Sequence, residues 1–333
     1  MARQRKSKNN IKSDLILKNF WRDNDRFADL FNACVFNGEQ ILKAEDLTEV
    51  DTDISSLIKF NGHAETIQKV LDVVKKTAYG VDFVILGIEN QQKIHYAMPL
   101  RHMIGDAFSY LKEYNELAVQ NKKEKNLESA DEFLSKLRKT DRLHAVMTIC
   151  VYYGEKEWDG PRSLIDMLTI PEEWKPLVSD YKFNLIEIRK SEHLKFYNQD
   201  VKTIFNISRF IYDKEYDKLN NIYKQQTIST ELAMVIGAIT ETQKLIDDAL
   251  KSEKKGEQLN MCKALEELEE RGRQRGEIQI KISLIQKKVK KNKQLSQIAD
   301  EIEEDKDSIK NLYELIKKYP EKTKEEIYDL IEQ

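Results

Sequence analysis

The sequence predicts a mixed α/β domain followed by an all-α extension, and three observations carry that reading. Between about residues 14 and 215 the apolar patterns run helix, two strands, helix, strand, strand. That is the order of a domain that layers helices on a sheet. The 333 residues include only 11 glycines and 5 prolines, which favours long helices over a turn-rich all-β fold. Beyond about Lys214 proline is absent until Pro320 and charge becomes dense.

The elements follow in order. Residues 1–13 carry Arg3, Arg5, Lys6, Lys8 and Lys12 and read as a basic disordered tail. From Asp23 to Phe36, Phe27, Leu30, Phe31, Cys34 and Val35 recur at helical spacing, with Asp25, Asp29 and Asn32 on the other side. Gly38 closes that helix. Residues 43–65 read as a loop with a short helix. Two β-branched runs, 68–75 and 81–91, flank Thr77-Ala-Tyr-Gly80 and predict a β-hairpin. The second run is apolar nearly throughout, as a strand buried on both faces would be. Pro99 opens a helix to about Ala118, proline being well tolerated in a first helical turn. Residues 145–153 form a third apolar run. It ends in the loop 154–161, where Trp158 reads as the anchor of a packed turn. Residues 181–188 alternate and predict a further strand.

The extension, 216–333, predicts long helices at 227–251 and 258–291, the latter with a glycine-interrupted charged joint at 271–277. Two short helices follow, 295–302 and 308–316. They form a helix-turn-helix-like end, but Glu301, Glu303, Glu304, Asp305 and Asp307 crowd the turn. A helix that reads the major groove usually presents basic or amide groups, so this end reads as a helical assembly module. The apolar stripe Ile278, Ile282, Ile285 predicts packing against a partner helix and hence a homo-oligomer.

Composition bounds the function classes loosely. The net charge of −3 neither requires nor excludes nucleic acid, since a local groove can bind DNA while the average stays low. Cys34, Cys150 and Cys262 lie far apart without CxxC spacing, which disfavours a zinc site and fits a reducing compartment. No long apolar run predicts a membrane span, and the basic start lacks the apolar core of a secretory signal. The expectation is a cytoplasmic protein.

One constellation suggests chemistry. Asp72 ends one strand run, while Glu89 and Gln91 end the next and share a face by strand alternation. A hairpin can bring Asp72 beside them, and paired carboxylates suit a hard divalent cation. Two solvated strand termini explain the same pattern, and spacing alone leaves both readings open. Arg101 and His102 follow Pro99 at a helix N-terminus, a place where phosphates bind, or where a structural arginine sits. Lys75, Lys76 and Lys93 flank the pair as phosphate contacts or as ordinary strand-surface lysines.

Several stretches resemble the Rpn family of recombination-promoting nucleases, a transposase-like branch of the PD-(D/E)XK superfamily. They are Arg26-Phe-Ala-Asp-Leu-Phe-Asn32, Asp72-Val-Val-Lys-Lys76, Leu86-Gly-Ile-Glu-Asn-Gln91, Met98-Pro-Leu-Arg101, Val151-Tyr-Tyr-Gly154 and Trp158-Asp-Gly-Pro-Arg-Ser-Leu164. The resemblance covers roughly residues 20–210. It implies a restriction-endonuclease-like core and an Mg²⁺-dependent DNA endonuclease, with Mn²⁺ as an alternative cofactor. Asp72 and Glu89 would bind the metal, and Asp29 on the first helix would complete the site. Gln91 stands at the superfamily's lysine position, where glutamine can orient water but adds no charge. The alternative reading is an inactive DNA-binding or self-associating protein on the same fold.

Overall fold

The structure is a computed structural model and describes residues 13–49, 73–77, 82–87 and 94–332. The basic tail, Asp72, Glu89, Gln91 and Lys93 lie outside the described residues. The chain divides into two compact units, Met1–Met261 and Cys262–Gln333.

In the first unit, two helices, α1 (Ser13–Arg22) and α2 (Asn24–Val35), are separated by Asp23. The Asp23 carboxylate accepts the Arg26 N–H and so caps α2. Gly38, at φ +90°, turns the chain away and donates its N–H to the Asn32 carbonyl. The Asn32 side chain is fully buried. It bonds both the N–H and the carbonyl of Leu42, at 2.9 Å each, which fixes the returning segment.

A five-stranded sheet has the order β1 (Thr48–Glu49), β2 (Val73–Lys76), β3 (Asp82–Gly87), β4 (Val146–Tyr152), β5 (Asn184–Glu187). The expected hairpin is present: β2 and β3 pair antiparallel from Val73↔Ile85 to Lys76↔Asp82. β3, β4 and β5 are parallel, with Gly87↔Val151 and Val151↔Ile186 in register. The long helix α3 (Met98–Glu124), followed by the short α4 (Ala130–Ser135), makes the crossover from β3 to β4, as a parallel connection requires.

The pleat of β4 sorts the two faces. Cys150 and Tyr152 pack with Met98, and Thr148 bonds Asp106, so this face is covered by α3. On the other face the Tyr153 hydroxyl accepts from Trp21 of α1 at 2.6 Å. The Tyr153 carbonyl accepts from Tyr212 of α5 (Gln199–Tyr212). Ile149, Cys150, Val151, Tyr152 and Tyr153 are all buried, as the continuous apolar run predicts.

The first unit runs past the boundary expected near 215. Beyond α6 (Tyr216–Tyr223), α7 (Thr230–Ile239) packs on α1 and α5. Arg26 of α2 forms paired hydrogen bonds with both Asp200 and Glu231. Burial opposes that charge, but the two carboxylates outweigh it and push the guanidinium pKa up. Removing one partner of a buried ion pair costs about 3–5 kcal/mol. Here the two carboxylate side chains are 38% and 46% exposed, so solvent screens part of that. Arg26→Ala is therefore expected to lower the unfolding free energy by roughly 1–3 kcal/mol. Urea unfolding checks this, and a loss below ~0.5 kcal/mol, a surface-pair value, would contradict it.

The single helix expected over 227–251 is instead α7 and α8 (Gln243–Lys255), broken at Thr240–Thr242 with Glu241 at φ +54°. Gly237 lies where α7 and α8 come together. A Cβ there would stand 2.8 Å from Ile246 Cγ1, so the glycine lets the two helices close on each other. Among the described residues no helix is long and apolar enough to cross a membrane.

The second unit holds most of α9 (Met261–Val289), with α10 (Leu295–Glu301), α11 (Lys306–Lys318) and α12 (Lys324–Glu332). The Gly-Arg joint does not interrupt α9: Arg273 bonds Glu270 and Glu277, one turn away on either side. The apolar stripe is also used differently from the expectation. Ile282 and Ile285 are fully buried against Ile298, Ile309, Ile316 and Ile327 of the same unit, with Ile278 packed alongside. The stripe thus closes this unit's own core.

Candidate functional site

The sheet edge that matters is the C-terminal end of the parallel strands. The described hairpin ladder ends there at Val73↔Ile85, and β3 runs on to Gly87, opposite Val151 of β4. In sequence, Asp72 directly precedes Val73, and Glu89 follows Gly87 by two residues. On the α3 side of this edge, Met98, Cys150, Tyr152, Trp158 and Phe183 form one apolar cluster, with Ile94, Tyr181 and Leu185 against it.

Set into this cluster are polar groups without partners. His102 is fully buried and neither ring nitrogen has a hydrogen-bond partner; its ring lies 5.0 Å from that of Phe183. The Tyr152 hydroxyl, His95 Nδ1 and Arg101 Nε are likewise buried and unpartnered. Burial, and then the Arg101 charge, holds His102 down to about 3 and lowers His95 as well. Both imidazoles are therefore neutral at pH 7, and Arg101 is the formal charge at the start of α3. The helix N-terminus adds partial positive charge, so this corner suits an oxyanion. The sequence marked Arg101 and His102 through Pro99. Tyr152 stood only within the resembling stretch Val151–Gly154, and His95, without ligand spacing, read as a structural or surface histidine.

The loop 154–162 is fixed to the same edge. Glu187, at the end of β5, accepts the Trp158 N–H at 3.1 Å and the Arg162 guanidinium at 2.6 Å. The Trp158 indole N–H bonds the Gly160 carbonyl, and the Tyr96 hydroxyl bonds Asp159. Trp158 is thus the anchor the sequence suggested. A Cβ at Gly160 would stand 2.8 Å from Ile94 Cγ2 and 3.2 Å from the indole ring. Neither neighbour can yield easily, so Gly160→Ala is expected to cost about 1–3 kcal/mol. Thermal melting checks this; an unchanged midpoint would contradict it.

Two expected site residues have other roles. Lys75 is fully buried, not a phosphate contact: its ammonium donates to the Arg22 carbonyl and to Asn24 Oδ1, 5.1 Å from the Phe27 ring. Burial lowers its pKa against the pull of Glu49 and Asp23. Alternation along β2 turns it toward α1 and α2. Asp29 is 4% exposed and accepts the Tyr197 N–H at 2.9 Å. Phe27, which packs on Lys75, and Asp29 are two residues apart, or about 200° round the helix. Asp29 therefore faces away from the hairpin. Burial raises its carboxyl despite bonds from the Tyr197 and Asn198 backbone, and its Oδ2 has no partner. Lys76 is half-buried on β2.

Asp106, which the sequence did not suggest, is a second buried carboxyl. It takes the Thr148 and Tyr181 hydroxyls, and burial raises its pKa. With both oxygens occupied it is a fixture between α3 and the sheet. Among the described residues no group of three or more His, Cys, Asp or Glu could hold a metal ion.

The fold is thus a layered α/β domain with Arg101 at the start of α3 and the Trp158 cluster at the C-terminal edge of its sheet. Residues 12–234 match the family described as putative transposases, YhgA-like. The match spans more than half of the chain, and the chain belongs to that family. No curated protein and no solved structure matches it.

Proposed function

We propose that the chain is a metal-dependent DNA endonuclease with a PD-(D/E)XK-type core. The observation that carries this reading is the hairpin register. Val73, opposite Ile85, begins β2 and Gly87 ends β3 toward the same edge of the sheet; in sequence Asp72 directly precedes the one and Glu89 follows the other by two residues. Membership of a transposase-like family supports DNA as the substrate.

The donor set fits a hard cation. Two carboxylates can hold Mg²⁺ or Mn²⁺, whereas Asp29 points elsewhere and Lys75 is inside the core, so the proposal rests on Asp72 and Glu89. A bound divalent cation would supply Lewis acidity at the phosphodiester and a water of lowered pKa. The chain's own groups would do the rest. Gln91 would orient the attacking water through its amide, and Arg101 at the start of α3 would balance phosphate charge. The buried, neutral His102 and the Trp158 cluster keep water from the apolar side of that corner. Lys76 and Lys93 remain candidate phosphate contacts.

Plasmid nicking with and without Mg²⁺ tests the proposal. Metal-dependent nicking that disappears in Asp72→Ala and Glu89→Ala is the expected result, and DNA binding without any metal-dependent cleavage would overturn it. Self-association would have to use residues other than the buried α9 stripe, such as the exposed Ile280 and Leu284.

A further inference from the structure

The acidic turn in the second unit was the reason to read its end as an assembly module, and the structure accounts for most of those acids. Glu301 bridges Lys288 and Lys293, and Glu304 pairs with Lys281. The Asp305 carboxylate accepts the Asp307 and Ser308 N–H groups and caps α11. Three of the five carboxylates are therefore engaged with α9, the chain just beyond it, or the backbone.

The turn itself has a defined geometry. The Ile302 N–H bonds the Ile298 carbonyl and the Glu304 N–H bonds the Ala299 carbonyl at 3.1 Å, with Glu303 left-handed at φ +56°. This is a Schellman ending. It gives a four-residue link, 302–305, from α10 to α11, the connection length of a helix-turn-helix. Ile298 and Ala299 of α10 and Ile309, Tyr313 and Ile316 of α11 are buried against α9 and α12. Both helices are thus held from behind.

The front of α11 is open. Lys306, Asp307, Lys310, Asn311, Glu314, Lys317 and Lys318 are all exposed, four lysines and an amide against two carboxylates. Thirteen residues make a rod roughly 20 Å long, and an α-helix fits the major groove. At the end of α9, Lys287, Lys290 and Lys291 are exposed too, in a run of six lysines from 281 to 293 that holds no acid. The bridges from Lys288 and Lys293 to Glu301 place this run beside α10, the position that crosses the phosphate backbone in such motifs.

The geometry points to α10 and α11 as a helix-turn-helix that binds duplex DNA, with α11 in the major groove. Lys306, Lys310 and Asn311 contact base edges, the amide being suited to adenine. Lys287, Lys290 and Lys291 contact phosphates. This assignment does not rest on the cleavage reading, and the helices lie beyond residues 12–234 matched to the family.

The test uses the full chain in EDTA, so that cleavage plays no part. Fluorescence anisotropy follows binding to a random-sequence 30-base-pair duplex pool between 50 and 200 mM salt. Lys310→Glu is expected to weaken binding at least tenfold. Lys290→Ala with Lys291→Ala should lower the slope of log K against log salt by about 0.9 for each phosphate no longer neutralised. Asn311→Ala should keep non-specific affinity but abolish preference for any sequence enriched from the pool. Circular dichroism confirms that these exposed substitutions leave the helices intact. Unchanged affinity and slope in all variants, or stronger binding to single-stranded RNA than to duplex DNA, would overturn the assignment. Neither result bears on whether Asp72 and Glu89 cut DNA, which the nicking assay reads separately.

Discussion

Replacing Asp72 or Glu89 by alanine is expected to lower plasmid nicking by about 100-fold or more, the usual scale for deleting an essential electrostatic group. Folding should survive. Carboxylates gathered at one metal site repel each other without the metal, so removing one relieves that repulsion. Both variants should melt at or slightly above the parent temperature in EDTA. They should also lose the stabilisation that added Mn²⁺ gives by binding only the folded state. Asp29→Ala is the informative contrast. Its carboxylate accepts the Tyr197 N–H inside the fold, so its removal should lower the melting temperature while leaving the metal response in place. If Asp72→Ala and Glu89→Ala behave like Asp29→Ala, melting early and cleaving normally, these two carboxylates are structural and the nuclease reading fails.

That contrast reflects what could be read from the chain. The hairpin was legible because two β-branched runs flank a glycine turn, a local signal that does not depend on the rest of the fold. The helix Asn24–Val35 was legible for the same reason. The fate of individual polar residues was not. Lys75 sits in a strand and reads as a surface lysine; only Arg22 and Asn24, some fifty residues earlier, make it a buried one. The single helix expected over 227–251 gave no hint of the turn at 240–242; the close approach of Gly237 to Ile246 on the next helix is a tertiary contact.

The motif from Arg26 to Asn32 makes the point most directly. It carried much of the resemblance, yet its side chains hold scaffold. Arg26 ties α2 to α5 and α7, Asp29 fixes the segment before α5, and Asn32 clamps Leu42. A match of this kind speaks for a shared fold as strongly as for shared chemistry. The roles assigned to Asp72, Glu89 and Gln91 come from resemblance and from the register of the strands beside them. The acids around the 302–305 turn show the same limit, since Glu301 and Glu304 pair with lysines of the same unit. A charge count cannot tell a carboxylate facing DNA from one facing a lysine on the neighbouring helix.

His102 supplies the second large effect, on stability against pH. Its ordinary pKa is near 6.5, and burial followed by the Arg101 charge brings it to about 3 in the folded chain. A base with a lowered folded pKa contributes its full stability above the unfolded value and loses it as pH falls toward the folded one. Between pH 6.5 and 3 the unfolded chain takes up a proton that the folded chain refuses. The slope approaches about 1.4 kcal/mol for each pH unit. By pH 5 this one residue should have cost roughly 2 kcal/mol. His102→Leu removes the titration and substitutes an apolar side chain in a site where neither ring nitrogen had a partner, so repacking should cost under about 1.5 kcal/mol. The variant is expected to be somewhat weaker than the parent at pH 7 and stronger at pH 5. Asp29 and Asp106, both raised by burial, act in the opposite sense nearer the carboxylate range, and His95 adds a smaller loss of the same sign as His102. All three are present in both proteins and cancel in the difference. Urea unfolding at pH 7, 6 and 5 measures that difference directly. Parallel curves would mean that His102 takes up its proton in the folded state, and that the corner at the start of α3 is more open to water than its burial implies.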